Sequence, residues 1–331
     1  MKILVTGGTG FIGSRLALRV RGEGHDVVVA GQLNSDAERA RAAELERAGV
    51  VIHQGPLQDA GYAQSIAAGR EAVIHLAAAQ HEANVADEYF YDVNVRGTET
   101  LLEASRSAGV RRFVYGSTIG VYGESDGAAL DEQSAPRPVN VYGRSKLRAE
   151  EAVNSYRDKL ETSIVRISET YGPGDFRLLK LFRAVNRGRF FIIGSGLNRR
   201  QVIHVQDLAR GLMLAATEPA AVGETFVMAG EEIMTTRDLV QRVAAALGRT
   251  APVWRAPLWP FLTAAVIFER TLSPLGIQPP LHRRRLDFFR KSFVFSTAKA
   301  KRLLGFTPVI AFREGAAETA KWYREQGYLD R

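Results

Sequence analysis

Short apolar runs alternate with amphipathic segments along the first half of the chain. The apolar runs lie at 2–6, 26–30, 50–54, 72–78, 112–117 and 162–168. Segments with helical spacing lie between them, at 11–21, 36–48, 60–68, about 88–108 and 142–156. An uninterrupted apolar run is typical of a strand that is buried on both faces. The alternation therefore predicts an α/β fold whose parallel sheet carries helices on both sides.

The pattern changes after about residue 175. Further strands are predicted within 188–196, 201–217 and 224–230, and 252–290 is richer in proline, aromatic residues and arginine. No low-complexity linker separates these segments. We expect the larger domain to comprise 1–175 with returning segments at about 201–230. The smaller, discontinuous substrate-binding lobe then comprises 176–200 and 231–331.

A glycine-rich turn, TGGTGFIG at 6–13, follows the first predicted strand and precedes a helix. Its glycines satisfy both G-x-G-x-x-G and G-x-x-G-x-x-G. Glycine lets the backbone approach a pyrophosphate, and the following helix N-terminus offers free N–H groups. The turn lacks the lysine of a P-loop, which argues against a nucleoside triphosphatase. The pattern predicts a Rossmann-type doubly wound sheet that binds a dinucleotide through Gly7, Gly8, Gly10, Phe11, Ile12 and Gly13.

The end of the second strand bears on the choice between NAD and NADP. Gly31 stands where an acidic residue would bind the ribose 2′-hydroxyl of NAD. Gln32, together with Asn34 and Ser35, is suited to a 2′-phosphate instead, and Arg15, Arg39 and Arg41 are the arginines within reach along the sequence. Both cofactors stay open, with a slight preference for NADP.

Composition excludes several classes of site. The 331 residues include no cysteine, so disulfides, thiolate nucleophiles and cysteine–zinc sites are excluded, and we expect no metal. No apolar run is long enough to span a bilayer, and the first strand leaves no room for a signal peptide, so we expect a cytoplasmic protein. The net charge is +8, but the dense cluster HRRR at 282–285 has no accompanying nucleic-acid motif. We therefore expect no nucleic-acid partner and regard a membrane surface as the weaker alternative.

Tyr142 and Lys146 lie four residues apart in a predicted helix, VYGRSKLRAEEA at 141–152. This spacing places both side chains on one helix face. The pair is either surface decoration or a phenol whose pKa is lowered by an ammonium group so that it transfers protons near neutral pH.

Several motifs, in order and spacing, resemble those of the extended short-chain dehydrogenases/reductases, of the NAD-dependent epimerase/dehydratase kind. The resemblance covers nearly the whole chain. It rests on TGGTGFIG and the Tyr142–Lys146 pair, and on HLAA (75–78), NVRGTETLLEA (94–104), GSTIGVYG (116–123), YGPGD (171–175), RRQVIHVQDLA (199–209) and KAKRLLGFTP (299–308).

The resemblance implies roles for individual residues. Tyr142 would be the general acid/base, and Lys146 would lower its pKa and hold the nicotinamide ribose. Thr118, with Ser117 as second choice, would orient the reacting oxygen. Further cofactor contacts would come from Gly31, Gln32, Leu57, Leu76, Ala77, Ala78, Asn94 and Ser117, of which Asn94 matches the family's structural asparagine. A homodimer formed by helices at about 94–108 and 142–158 is also implied.

The resemblance narrows the reaction through what is missing. The family's 4,6-dehydratases carry an acid pair after the catalytic threonine, whereas this chain has Thr118-Ile119-Gly120. Dehydratase and decarboxylase reactions are therefore disfavoured, which leaves a 4-epimerase, a keto-reductase or an alcohol dehydrogenase.

The substrate class rests on two positions. Arg200 matches the arginine that contacts the substrate diphosphate in sugar-nucleotide epimerases, but Glu169 replaces a substrate-binding asparagine. We expect first an NAD(P)-dependent enzyme that transfers hydride at a sugar hydroxyl or keto carbon of a nucleotide sugar, and foremost a 4-epimerase. The second expectation is a dehydrogenase of an apolar alcohol or ketone, similar to 3β-hydroxysteroid dehydrogenases, and the third is a non-catalytic NADP-sensing protein. The apolar segment 257–272 would line the pocket of the second, although packing within the small lobe's own core is favoured for it.

Overall fold

The computed structural model describes residues 1–80, 85–123, 128–251, 254–272, 281 and 283–330. The side chains of the basic cluster at 282–285 lie outside this description. The strands are, in chain order, β1 (Lys2–Thr6), β2 (Asp26–Ala30), β3 (Val51–His53), β4 (Ala72–His75), β5 (Arg112–Thr118), β6 (Glu161–Ile167), β7 (Thr170–Tyr171), β8 (Ile192–Ile193), β9 (Arg199–Arg200), β10 (Ile203–His204), β11 (Thr225–Met228), β12 (Met234–Thr235) and β13 (Arg255–Ala256).

The helices cover both faces of the main sheet and build the smaller lobe. They are α1 (Phe11–Gly22), α2 (Asp36–Arg47), α3 (Ala60–Ala67), α4 (Asp87–Tyr91), α5 (Gly97–Ser107), α6 (Val141–Asn154), α7 (Leu179–Asn186), α8 (Val205–Thr217), α9 (Thr236–Leu247), α10 (Leu258–Leu272), α11 (Arg283–Arg290), α12 (Ala298–Leu304) and α13 (Phe312–Glu325).

Seven strands form the main sheet in the order β3-β2-β1-β4-β5-β6-β11, and every neighbouring pair is parallel. The predicted doubly wound parallel sheet is confirmed. Side chains of one strand alternate between two cores: Ile3 and Val5 pack in the cluster that contains Leu16 of α1, whereas Leu4 packs in the cluster that contains Leu101 of α5. Because the chain leaves β1 toward β2 and returns beyond β1 to β4, the loops after β1 and β4 diverge and open a crevice between them.

The segment predicted as one helix at about 88–108 is interrupted. A π-helical turn, Asp92–Arg96, separates α4 from α5. Local π turns are frequent at functional sites because the wider turn re-aims one side chain. Here the re-aimed residue is Asn94, which is buried beneath the crevice.

The smaller lobe has its own apolar cluster, in which Phe182 of α7, Val243 of α9 and Tyr323 of α13 meet. Helix α10 packs less completely. Phe261 contacts a small cluster around Leu286, but Trp259 is 71% exposed. The expectation that 257–272 forms the core of the lobe is therefore correct for Phe261 and wrong for Trp259.

Candidate active site

The glycine turn packs directly onto the backbone at the end of β4. Gly7 has φ of +67°, and a Cβ there would lie 2.7 Å from the amide nitrogen of Ala77. A Cβ at Gly13 would lie 2.3 Å from the carbonyl oxygen of Gly7. Helix α1 begins without a side-chain cap, so the N–H groups of its first turn have no side-chain acceptor. This cradle fits the pyrophosphate of a dinucleotide.

A cleft of about 750 Å³ opens at the carboxyl ends of the sheet strands. The structure brings most of the predicted site residues to its walls: Gly7, Gly10, Phe11, Ile12, Gly13, Gly31, Gln32, Leu57, Leu76, Ala77, Ala78, Ser117, Thr118, Tyr142, Lys146 and Glu169. Three predicted contacts, Gly8, Asn94 and Arg200, do not line this cleft. Gly8 instead packs against the side chain of Val29.

The ribose end of the cleft has no carboxylate at position 31. The backbone N–H of Gly31 donates to the carbonyl of His53 at 3.0 Å, and the amide of Gln32 donates to the carbonyl of Gly55 at 3.2 Å. Of the three arginines named from the sequence, Arg15 pairs with Glu44 and Arg39 with Asp36.

Arg41 is the arginine of these three that lines the cleft. Its guanidinium donates to the carbonyl of Gly174 at 2.9 Å and lies 5.4 Å from the centre of the Phe176 ring. Burial, followed by the charge of Arg15, lowers the pKa of Arg41 from its ordinary value. The carboxylates of Glu38 and Asp175 act on this pKa in the opposite direction.

Helix α6 carries Tyr142 and Lys146 into the cleft. The helix begins where Asn140 accepts the backbone N–H of Gly143 at 2.8 Å, and Tyr142 lies half-buried in its first turn. Lys146 is 1% exposed, and its Nζ lies 4.1 Å from the centre of the Tyr115 ring. Burial lowers the pKa of Lys146 to about 7, although the nearby Glu150 carboxylate acts in the opposite direction. Surface decoration is thus excluded for Lys146.

Thr118 ends β5 on the wall of the same cleft. Its hydroxyl oxygen accepts the backbone N–H of Gly120 at 3.0 Å and stays half-buried. That contact leaves the hydroxyl hydrogen of Thr118 available to a bound oxygen. Ser117, the second choice from sequence, donates its hydroxyl to Glu150 at 2.5 Å, which leaves Thr118 as the better candidate.

Asn94 positions the site rather than lining it. Its side chain accepts the backbone N–H of Ala79 at 2.8 Å and donates to the carbonyl of Ala79 at 3.0 Å. It also donates to the hydroxyl of Ser145 at 2.9 Å. Because Ser145 precedes Lys146, Asn94 ties the strand-end segment after β4 to helix α6. Asn94 therefore fits the structural asparagine that the family resemblance implies. It does not fit the predicted cofactor contact, because it does not line the cleft.

A buried polar network lies one turn further along α6. Glu150 accepts Nη2 of Arg166 at 2.7 Å and Nε at 3.0 Å, and Arg166 donates to the hydroxyl of Tyr122 at 2.9 Å. The glutamate is 3% exposed and the arginine 6% exposed. This pair was not predicted from the sequence, although Tyr142, Lys146 and Glu150 recur at every fourth residue and so share one helix face.

His75 supports the strand ends from below. Its Nδ1 lies 2.6 Å from the hydroxyl of Thr6, and its Nε2 lies 2.9 Å from the hydroxyl of Thr98. Burial, followed by the charge of Lys146, lowers the pKa of His75 to about 3. A neutral histidine therefore links β1 to α5 beneath the cleft.

Glu169 and Arg200 form an ion pair at the far end of the cleft. Arg200 is 2% exposed, also donates to the carbonyl of Phe288 at 2.8 Å, and stacks 4.1 Å from the Phe288 ring centre. Burial alone would raise the pKa of Glu169, but the charge of Arg200 holds it below its usual value. Glu169 therefore lines the cleft, whereas Arg200 does not.

Comparisons with known proteins show the family of the chain. The model of the NAD dependent epimerase/dehydratase family matches residues 3–229. The chain belongs to this family. It is 31% identical to the UDP-glucose 4-epimerase of Mycolicibacterium smegmatis, over 98% of this chain and 99% of that protein. It is 29% identical to the 2-alkyl-3-oxoalkanoate reductase of Stenotrophomonas maltophilia, over 95% of this chain and 97% of that protein.

A solved member of the extended short-chain dehydrogenases/reductases confirms the expected fold. A double mutant of DesIV, a dTDP-glucose 4,6-dehydratase from Streptomyces venezuelae solved with NAD bound, has a TM-score of 0.78 and 27% identity to this chain. The match covers 99% of both chains. Family members of similar identity thus carry names that span sugar-nucleotide and non-sugar substrates, and the site itself has to distinguish them.

Proposed function

We propose that this protein is an NAD(P)-dependent dehydrogenase or reductase acting on the hydroxyl or keto carbon of an apolar alcohol or ketone. The observation that carries the proposal is the ion pair between Glu169 and Arg200. The nucleotide-sugar interpretation, ranked first from the sequence, needs a guanidinium free to bind a diphosphate. A carboxylate facing the cleft repels such a diphosphate, whereas an uncharged substrate meets no comparable penalty.

Part of the remaining wall of the cleft is apolar and suits an apolar substrate, although Asp175 and Arg177 also line the cleft. Val93 and Ile119 line it. Ile119 also occupies the position directly after Thr118 at which elimination of water would call for an acid. Apolar walls with a few placed polar groups are typical of sites for small apolar ligands.

Each polar group then has a role in one proton and hydride exchange. A nicotinamide cofactor bound in the glycine cradle would supply or accept the hydride. During reduction Tyr142 donates its phenolic proton to the carbonyl oxygen as that oxygen gains charge, and during oxidation the phenolate takes the proton back. Thr118 orients the oxygen through its hydroxyl. Lys146, when protonated, stabilises the phenolate.

Thermal unfolding with cofactor and added nucleotides tests the substrate class. The protein is first saturated with NAD or NADP, and UDP, dTDP, GDP or CDP is then added. A ligand specific for the folded state stabilises it by about 2.7 kcal/mol at a hundredfold excess over its dissociation constant. We expect a shift with the cofactor and no further shift with any nucleoside diphosphate. A clear additional shift with one of them would overturn the proposal in favour of a nucleotide sugar.

Turnover completes the test. A panel of hydrophobic ketones is assayed by the consumption of NADH or NADPH, with Tyr142→Phe as the inactive variant and Tyr91→Phe as its matched control. Tyr91 is 38% exposed and is absent from the cleft lining. We expect Tyr142→Phe to lower the rate by about 10²–10⁴-fold while keeping cofactor binding. Equal rates in the two variants would contradict the role given to Tyr142.

A further inference from the structure

Two of the three tryptophans of the chain stand on the surface of the smaller lobe. Trp254 is 79% exposed and Trp259 is 71% exposed. Trp254 directly precedes β13, and Trp259 lies in the first turn of α10. The third, Trp322, is half-buried against Phe176. Large apolar side chains that are exposed together are typical of a surface that binds a membrane or a partner, and tryptophan is enriched at such surfaces.

Helix α10 extends this surface. Its sequence LWPFLTAAVIFERTL is mostly apolar, yet Ala265 is its one buried residue, and all fifteen positions are described. Trp259 and Ile267, the latter 52% exposed, lie two turns apart on the same face. Phe191, 40% exposed, lies beside Trp254, because the backbone N–H of the next residue, Ile192, donates to the carbonyl of Trp254 at 3.1 Å. We call Phe191, Trp254, Trp259 and Ile267 the apolar patch.

Exposed arginines lie near both ends of helix α10. Arg255, which follows Trp254, and Arg270, in the last turn of α10, are both exposed. Within 254–291 the sequence has seven basic residues and two acidic ones, whereas the net charge of the whole chain is +8. More than half of the excess positive charge thus falls in this one short segment. Exposed apolar side chains with an arginine near each end of the same helix complement a surface that is apolar inside and negatively charged outside.

An anionic lipid bilayer has that chemistry. Tryptophan partitions to the boundary between acyl chains and headgroups, and arginine binds the headgroup phosphates. The fifteen residues of α10 are about 22 Å long, shorter than the roughly 30 Å apolar core of a bilayer. Within the described part of the chain, no helix is both long enough and apolar enough to cross a membrane. The patch is therefore suited to lying on a bilayer.

We propose that the apolar patch, with Arg255 and Arg270, docks the protein onto an anionic lipid bilayer. The two tryptophans enter the interface, and the two arginines contact headgroup phosphates. From the sequence alone, a membrane surface was the weaker alternative, because Trp259 was expected to be buried in the smaller lobe. The exposure of Trp259 now favours it. The proposal does not depend on the substrate or on the reaction.

Vesicle binding by the full chain tests it. The protein is titrated with phosphatidylcholine vesicles, with and without phosphatidylglycerol, while tryptophan emission and co-sedimentation are followed. We expect binding and a blue shift only with phosphatidylglycerol, both weakened by salt. Arg255→Gln with Arg270→Gln should weaken binding about thirtyfold. Each of Trp254→Ser and Trp259→Ser should weaken it about tenfold.

Val309→Ser is the matched control, because Val309 is 72% exposed outside the patch. It should bind like the unaltered protein, and cofactor binding should be intact in every variant. No binding to anionic vesicles, equal binding to neutral ones, or unchanged binding of the tryptophan variants would each overturn the proposal. Dimerisation in solution that the tryptophan substitutions abolish would also overturn it, since a second copy would then cover the patch.

Discussion

Glu150 and Arg166 form a two-point ion pair at 2.7 and 3.0 Å, buried beneath helix α6. The glutamate lies on the same helix face as Lys146, four residues further along, and it also accepts the hydroxyl of Ser117 at 2.5 Å. One carboxylate therefore joins β5, β6 and α6 just behind the residues that carry the proposed chemistry.

Removal of this carboxylate should destabilise the protein strongly. Glu150→Gln leaves the buried guanidinium of Arg166 without its counter-ion, which typically costs about 3–5 kcal/mol. The neighbouring Glu151→Gln is the control, because Glu151 pairs with Arg148 at the surface and both side chains are more than half exposed. That change should cost less than about 1 kcal/mol. Urea unfolding of the two variants compares them, and similar losses would show that the buried pair adds no special stability.

The buried ammonium of Lys146 should make stability depend on pH. Its folded pKa of about 7 lies below the ordinary value of 10.5, so between these values the unfolded chain binds more protons than the folded one. The contribution of Lys146 to the free energy of unfolding therefore rises with pH from about 7 to 10.5, by at most about 1.4 kcal/mol per unit. Below pH 7 Lys146 is protonated in both states, so the full free-energy cost of burying its charge lowers the stability of the folded protein.

Lys146→Met provides the measurement. The stability of the unaltered protein relative to this variant should increase between pH 7 and pH 9 in urea unfolding without cofactor. Lys321→Met, at a lysine 77% exposed, controls for the loss of one positive charge. A difference between Lys146→Met and the unaltered protein that stays flat with pH would contradict the lowered pKa.

The glycine cradle should tolerate no side chain at Gly7. Gly7 and Gly109 both have positive φ, +67° and +70°, but a Cβ at Gly109 meets nothing within 4 Å. Gly109→Ala should thus cost about 1–2 kcal/mol for its backbone conformation alone. Gly7→Ala should cost a further 1–3 kcal/mol or so, because its Cβ collides with the backbone of Ala77, and it should also weaken cofactor binding. Unfolding and NADH titration of both variants check this, and equal behaviour would contradict the cradle.

Arg41 should favour NADP over NAD. Arg41→Met removes the guanidinium that lines the ribose end of the cleft, and we expect NADP to bind about tenfold more weakly while NAD affinity changes little. Arg39→Met, whose arginine pairs with Asp36 at the surface, is the control. Titration with both cofactors measures the ratio. Equal loss of NAD and NADP affinity would mean that Arg41 supports the turn and does not distinguish the cofactors.

The sequence by itself determined the sheet and most of the cleft. Uninterrupted apolar runs predict parallel strands because both faces of such a strand are buried, and glycines at fixed spacing predict the turn because only they fit so close to a backbone. The carboxyl ends of parallel strands meet at one edge, so residues following β1, β2, β4 and β5 were bound to share a cleft. Helical spacing placed Tyr142 and Lys146 on one helix face, and the family resemblance implied their roles in the site.

Tertiary structure alone decided how charged and aromatic side chains are used. From the sequence, Arg200 was predicted to contact a diphosphate. In the folded chain it pairs with Glu169. An ion pair between residues 31 positions apart leaves no local pattern in the sequence. Asn94 was predicted to contact the cofactor, but it lies in a π-helical turn and hydrogen-bonds to Ala79 and Ser145 instead. The sequence assigned Trp259 to a core, yet an apolar helix is buried only where a partner element covers it. Within the described residues, α10 packs through Phe261 against the cluster around Leu286, and Trp259 is 71% exposed. Periodicity records which residues share a face, whereas long-range contacts determine what that face meets.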